Sequence, residues 1–232
     1  MNQNSEQRLV VLLSGRGSNY QALQQARSDG RMPGEITGVI SDRIGAAGLD
    51  KARADGVDTI CIARSRYPDQ ASFELALDRS LEALRPDWIV LAGFMRILSA
   101  DFVRRQSGHM VNIHPSLLPR HRGLHTHQRA LDAGDKRHGA SVHFVTAELD
   151  GGPVISQVRM PIEPEDDADR LAERLLPLEH RLLPATMALL MRYPVELRDE
   201  QIFFENQALD QPLQLGFDLA DDGRLAGRGR NA

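Results

Sequence analysis

Four short runs built almost wholly of apolar residues set the terms for this chain: Leu9-Val10-Val11-Leu12-Leu13, residues 36–40, Thr59-Ile60-Cys61-Ile62-Ala63 and Trp88-Ile89-Val90-Leu91-Ala92. Between them lie longer segments with helical spacing, near residues 18–29, 46–55 and 69–84. A strand that is apolar on both faces has to be covered on both faces, and right-handed strand–helix–strand crossovers do that. The rhythm predicts an α/β chain, doubly wound, with a mostly parallel sheet flanked by helices.

After Ile113 the rhythm changes. A loop rich in Pro, Gly and His runs to about Thr126, and a short helix is expected over 128–133. Residues 141–146 alternate as a strand with one polar face, residues 154–160 read as another, and Asp150-Gly151-Gly152 between them is turn chemistry. These two strands are expected to join the sheet as a hairpin-like pair. A long helix follows from about Asp169 through Met191, with Asp166 or Asp167 as its cap. Pro177 and Pro184 are expected to kink or split it. Beyond Pro194 the pattern weakens to one short strand candidate, Ile202-Phe203-Phe204, and residues 223–232 read as frayed. The expected organisation is one domain over 1–195 and a C-terminal extension, 196–232, packed on it or trailing from it.

Composition excludes several classes of partner. The net charge of −4 supplies no positive field for nucleic acid or an anionic membrane. No apolar run approaches the roughly 18 residues of a membrane span, and residues 1–7 are polar, unlike a signal peptide. The single cysteine, Cys61, lies in an apolar run and reads as core, which fits a reducing compartment. A cytoplasmic protein acting on small molecules, monomeric or homodimeric, is expected.

The chemistry concentrates in Val111-Asn112-Ile113-His114-Pro115-Ser116-Leu117-Leu118-Pro119. Strand alternation puts the Asn112 amide and the His114 imidazole on one face, and Pro115 ends the strand where the histidine emerges. An amide that can hold an oxyanion beside a ring that can move a proton suits reaction at a carbonyl. Asp150 reads either as an Asp-Gly turn or as a carboxylate that orients His114 or holds a proton-carrying water.

Ser14-Gly15-Arg16-Gly17-Ser18-Asn19 follows the first strand and opens the first helix, where unpaired N–H groups attract a phosphate. A dinucleotide fingerprint would need a third glycine at Tyr20, although Asp42 stands where a ribose-binding acid would. A monophosphate is the preferred reading over NAD or a plain tight turn. Phe94-Met95-Arg96-Ile97-Leu98 can border a flat heterocycle, or simply start a helix. His121, His125 and His127 crowd one loop without a nearby Cys, Asp or Glu, so no metal is expected. Glu179 and His180 read first as a solvated helix face.

Taken together, the Ser14–Asn19 loop, Leu91-Ala92-Gly93-Phe94-Met95-Arg96-Ile97-Leu98, Asn112-Ile113-His114-Pro115-Ser116-Leu117-Leu118-Pro119, Gly123-Leu124-His125-Thr126-His127 and Glu148-Leu149-Asp150-Gly151-Gly152 resemble the phosphoribosylglycinamide formyltransferases. The resemblance spans roughly residues 8–190 and implies the formyltransferase fold, with residues 1–195 as the catalytic domain. It implies transfer of a formyl group from 10-formyltetrahydrofolate to the amine of glycinamide ribonucleotide in purine synthesis. No tightly bound cofactor is implied; the folate is a cosubstrate. By resemblance His114 is the general acid, Asn112 binds the formyl oxygen and Asp150 supports the charged histidine. Gly17, Ser18 and Asn19 hold the substrate phosphate, Glu179 the ribose hydroxyls, and Met95, Arg96, Ile97 and Leu98 border the folate with Asn112.

The chain departs from the family pattern in places. Gln70 stands where an arginine often contacts the folate tail, with Arg64 or Arg66 as substitutes, and Leu176 stands where Lys or Gln is usual. His121-Arg122 is not the commonest pairing in the family, and the segment after Pro194 is somewhat longer than the family requires. Two rivals within the class would need more chain: a tRNA formyltransferase an RNA-binding domain after Met191, a formyltetrahydrofolate hydrolase a regulatory domain before Arg8. A rival outside the class, a redox module on the glycine loop, would need NAD(P).

Overall fold

The computed structural model describes residues 7–226; the polar start at 1–6 and the end of the segment read as frayed, 227–232, lie outside the described residues. The first half follows the expected alternation: β1 (Arg8–Leu13), α1 (Ser18–Ser28), β2 (Glu35–Ser41), α2 (Ala47–Ala54), β3 (Thr59–Cys61), α3 (Gln70–Leu84) and β4 (Trp88–Leu91). Next come α4 (Ala100–Arg105), β5 (Met110–His114), α5 (Thr126–Asp132), β6 (Arg137–Phe144), β7 (Val154–Pro161) and α6 (Ala168–Arg192). The C-terminal segment adds β8 (Val195–Arg198), β9 (Gln201–Phe204), β10 (Gln207–Ala208) and β11 (Leu213–Gln214).

Eight strands form the main sheet in the order β11-β7-β6-β5-β4-β1-β2-β3, and β10-β9-β8 form a small second sheet. Strands β3, β2, β1, β4 and β5 run parallel, β6 is antiparallel to both β5 and β7, and β11 adds to the far side of β7 in parallel. The order reverses at β1, which pairs with β2 on one side and β4 on the other. Chains leaving the carboxyl ends of two such strands diverge and open a crevice there. The apolar runs explain the layering. Leu9 through Leu13 have no exposure at all, and alternate residues feed two cores, one under α1 and α6, the other under α3 and α4. Truncating such a residue, for example Leu12→Ala, costs about 2–5 kcal/mol.

Four sequence expectations need correction. Helix α6 is one unbroken element of 25 residues despite Pro177 and Pro184, because eleven of its side chains are buried against the sheet and α1. Tertiary packing of a broad apolar face outweighs two missing backbone bonds. Its cap is Asp167, whose carboxylate accepts from Arg170 N at 2.8 Å. Cys61 is exposed, since β3 is the outermost strand and Cys61 ends it. The strand expected over 141–146 begins earlier, at Arg137, and ends at Phe144. Finally, Gly223 is not frayed: it is buried, and a Cβ there would lie 2.5 Å from Leu189 N on α6.

Candidate active site

At the β1 carboxyl end the chain turns through Ser14–Gly17 into α1. Gly17 is the N-cap, with φ of 70°, and no side chain caps the helix. The first-turn N–H groups of α1 are therefore left without the usual partner, at one wall of a cavity of about 270 Å³ lined by Ser14 through Asn19, Arg43, Gly93 and Met95. Gly17 is obligatory for a reason the motif did not reveal. A Cβ would fall 2.6 Å from Gly48 Cα, so the α1 and α2 starts touch through two glycines. Gly15, by contrast, has nothing within 4 Å of its missing Cβ.

Asp42 is not available to a ribose. Its buried carboxylate accepts from Ser14 Oγ at 2.5 Å and from Arg96 Nε at 2.6 Å, and Ser14 Oγ accepts from Met95 N at 2.8 Å. This net ties the glycine loop to the segment after β4. That segment, 95–98, is loop without regular structure, and α4 starts only after Ser99, whose hydroxyl caps it. Arg96, Ile97 and Leu98 line a slot of about 100 Å³ with Phe94, Asn112, His143 and residues 145–150. Met95 lines the neighbouring cradle instead. Ile97 and Leu149 are 72% and 53% exposed, which for branched apolar side chains at a slot's rim marks a surface made to be covered.

Asn112 and His114 emerge from β5 on one face, as the alternation requires. Opposite Asn112 in the antiparallel register stands His143 of β6. His143 Nδ1–H donates to the Phe144 carbonyl at 2.9 Å, which leaves Nε2 as an acceptor for Asn112 Nδ2 at 3.1 Å. Burial pushes the His143 pKa down to about 4, against opposing pulls from the Phe144 carbonyl and Asp150. Its Nε2 lies 3.7 Å from Asp150 Oδ1, but a ring that stays neutral at pH 7 makes no ion pair there. The neutral ring instead fixes which way the Asn112 amide faces. Nothing in the sequence around His143 marks it as part of the site; only the antiparallel register sets it opposite Asn112.

Asp150 arrives from the β6–β7 connection with φ of 48°, a left-handed conformation that Asp tolerates. Gly152 makes the approach possible, because any side chain there would collide with the Phe144 carbonyl. Asp150 Oδ2 lies 3.4 Å from His114 Nδ1 and accepts from Gly123 N at 2.8 Å. His114 Nε2–H donates to the His121 carbonyl at 3.0 Å. Both imidazole nitrogens thus face oxygen acceptors, a setting that the doubly protonated ring satisfies in full. Asn112, His114, His143 and Asp150 form one cluster.

Glu179 on α6 does not face open solvent as the helix pattern suggested. Its carboxylate accepts from Asn19 Nδ2 at 3.4 Å, across 160 residues of sequence. Burial pushes its pKa up, partly offset by that contact. Asn19 Oδ1 is buried without a partner among the described residues. Gln70 Nε2 binds Glu74 Oε1 at 2.8 Å and the Ile97 carbonyl at 3.2 Å, bracing the slot from behind.

The loop histidines separate. His125 is exposed at the N-cap of α5, while His127 turns inward, its Nδ1 hydrogen-bonded to His138 Nε2 at 2.9 Å. Among the described residues no three His, Cys, Asp or Glu side chains converge as a metal site requires. A cavity of about 780 Å³, larger than the cradle and the slot together, lies between β7 and the C-terminal segment and includes no member of the catalytic cluster. Size does not locate the chemistry here; the convergence of polar groups does.

The chain matches the family model described as formyl transferase over residues 7–187. It is 40% identical over 201 residues to the phosphoribosylglycinamide formyltransferase of Escherichia coli (strain K12), covering 87% of this chain and 95% of that protein. The human trifunctional purine biosynthetic protein adenosine-3 is 41% identical over 190 residues, which are 82% of this chain and 19% of that longer protein. A solved phosphoribosylglycinamide formyltransferase from Coxiella burnetii has a TM-score of 0.84 and 40% identity, covering 94% of this chain and 98% of that one. With the sheet order, the Asn112–His114 strand end and these likenesses in agreement, the chain belongs to the formyl transferase family.

Proposed function

We propose that this protein transfers the formyl group of 10-formyltetrahydrofolate to the amine of 5-phosphoribosylglycinamide, giving formylglycinamide ribonucleotide and tetrahydrofolate in purine synthesis. The observation that carries the proposal is the meeting of Asn112, His114 and Asp150 next to two hollows of different character, a backbone-lined cradle and an apolar slot. Gly17, Ser18 and Asn19 take the phosphate, Asn19 and Glu179 the ribose, and Arg96, Ile97, Leu98 and Asn112 the folate. Met95 stands between the two substrates.

The substrate amine attacks the formyl carbon, forming a C–N bond and pushing the carbonyl electrons onto oxygen. The oxyanion takes a hydrogen bond from the Asn112 Nδ2–H that His143 leaves free, and one from protonated His114 through Nδ1. When the oxyanion collapses, the bond to the folate N10 breaks, and N10 accepts the proton that the attacking amine gives up, relayed by water held at Asp150. Each donor aimed at the oxyanion is worth about 3 kcal/mol, and holding two substrates together contributes several kcal/mol more. Both substrates are small and soluble, as expected of a cytoplasmic enzyme working as a monomer or homodimer. No helix among the described residues is long and apolar enough to cross a membrane.

The test is turnover of purified protein with 10-formyltetrahydrofolate, with and without glycinamide ribonucleotide. Nucleotide-dependent release of tetrahydrofolate is expected. Equal release without nucleotide would mean hydrolysis, and no release in either reaction would remove the proposal.

A further inference from the structure

The segment joining β5 to α5 carries a contact that neither the family motif nor the mechanism above uses. His121 lies in the left-handed region with φ of 54°, a conformation that costs a non-glycine residue free energy. Something has to hold it there. Its imidazole Nε2 sits 2.7 Å from Asp135 Oδ2, and both side chains are about nine-tenths buried. Arg120 grips the other oxygen of Asp135. Asp135 is itself fixed just past α5, where its N–H donates to the Ala130 carbonyl at 3.1 Å. The backbone carbonyl of His121 then points at His114 Nε2. His121 stands at one of the positions where this chain departs from the common family pattern.

We propose that Asp135, holding the His121 side chain, is a positioning residue that decides which nitrogen of His114 faces the reaction. The inference rests on the role given to His114 above. With the His121 carbonyl in place, Nε2 keeps its hydrogen committed to the backbone and Nδ1 is the nitrogen free to exchange a proton, 3.4 Å from Asp150. Released, a neutral His114 would favour the other tautomer, with its single hydrogen on Nδ1 pointing at the Asp150 carboxylate. The ring would then be held from one side only. A tautomer fixed by the hydrogen bond on the far nitrogen is the general way proteins orient a working imidazole.

Two variants and two readouts test this. Asp135→Ala removes the grip, and His121→Gly removes the same grip while relieving the left-handed strain, so a folding defect in the first does not end the test. Both are expected to lower kcat about 10-fold with KM for nucleotide and folate within about 2-fold, as for loss of alignment in the transition state only. Asp135→Asn, which still offers an oxygen to His121, restores most of kcat. In ligand-free protein, the imidazole ¹⁵N signals of neutral His114 show hydrogen on Nε2 in the wild type and on Nδ1 in Asp135→Ala and His121→Gly. Unchanged kcat, a loss confined to KM, or an unchanged His114 tautomer in both variants would overturn the proposal. The tautomer readout does not depend on turnover. An inactive wild type with the tautomer switch intact would therefore sink the proposed function and leave this inference standing.

Discussion

The two walls of the site are made of different material. On the β1 side the chain presents backbone: an uncapped helix start, a glycine at φ of 70° and a second glycine with open space above it. On the β5–β6 side it presents side chains with exchangeable protons, packed so that each one's partner restricts the next. The parallel half of the sheet ends in turns that expose N–H groups, and that suits a phosphate. In the antiparallel half, facing positions on neighbouring strands bring side chains together, as Asn112 and His143 do, and that suits proton chemistry. Binding and reaction are thereby assigned to separate halves of one fold.

The most severe test of this division is on the side-chain wall. His114→Ala and Asp150→Asn are each expected to cut kcat by at least about 100-fold while unfolding curves stay close to wild type. Wild-type-like turnover in either variant would remove that residue from the mechanism. The backbone wall predicts a different response. Gly15→Val places a side chain in the open cradle and is expected to raise KM for the nucleotide about 10-fold, leaving folate KM and stability nearly unchanged. Gly17→Val is the poorer probe, because it collides with Gly48 and would lower stability before it reports on binding.

Smaller effects sharpen the comparison. Glu179 spends stability to hold a charge in a crowded place, so Glu179→Gln is expected to raise Tm by about 2–4 °C at pH 7.5 while raising nucleotide KM about 10-fold. A fall in Tm would show that the carboxylate is well solvated after all. Buried histidines give a signal that is absent at neutral pH and grows only under acid conditions. Burial holds His138 and His143 at about 4, against about 6.5 in the unfolded chain. Between those values the unfolded state binds more protons, so stability is complete above about pH 6.5 and drains as pH falls toward 4. Thermal unfolding should be flat from pH 7.5 to 6.5 and fall below it, less steeply in His138→Leu and His143→Leu. An equal slope in all three proteins would contradict this.

The same contrast explains what could be read from sequence. Features written in consecutive residues were legible: the apolar strands, the glycine turn, and the Asn112–His114 alternation. Features made by pairing distant segments were not. Nothing near Asp42 announces that it braces Ser14 and Arg96, and only the β5–β6 register makes His143 the partner of Asn112. The roles of Gly17 and Gly48 emerge only where two helix starts meet. Cys61 was misplaced for a related reason, since an apolar run does not say whether its strand lies at the centre of the sheet or at its edge. The unbroken α6 shows packing overriding a local rule that holds for isolated helices.

The most direct test of the central claim is a crystal structure with glycinamide ribonucleotide and a 10-formyl folate analogue that cannot transfer its carbon. Phosphate is expected at the Gly15–Asn19 turn, the pterin in the slot, and the formyl-position oxygen within about 3 Å of both Asn112 Nδ2 and His114 Nδ1. An oxygen out of reach of both groups, or a nucleotide bound away from the β1 turn, would contradict it.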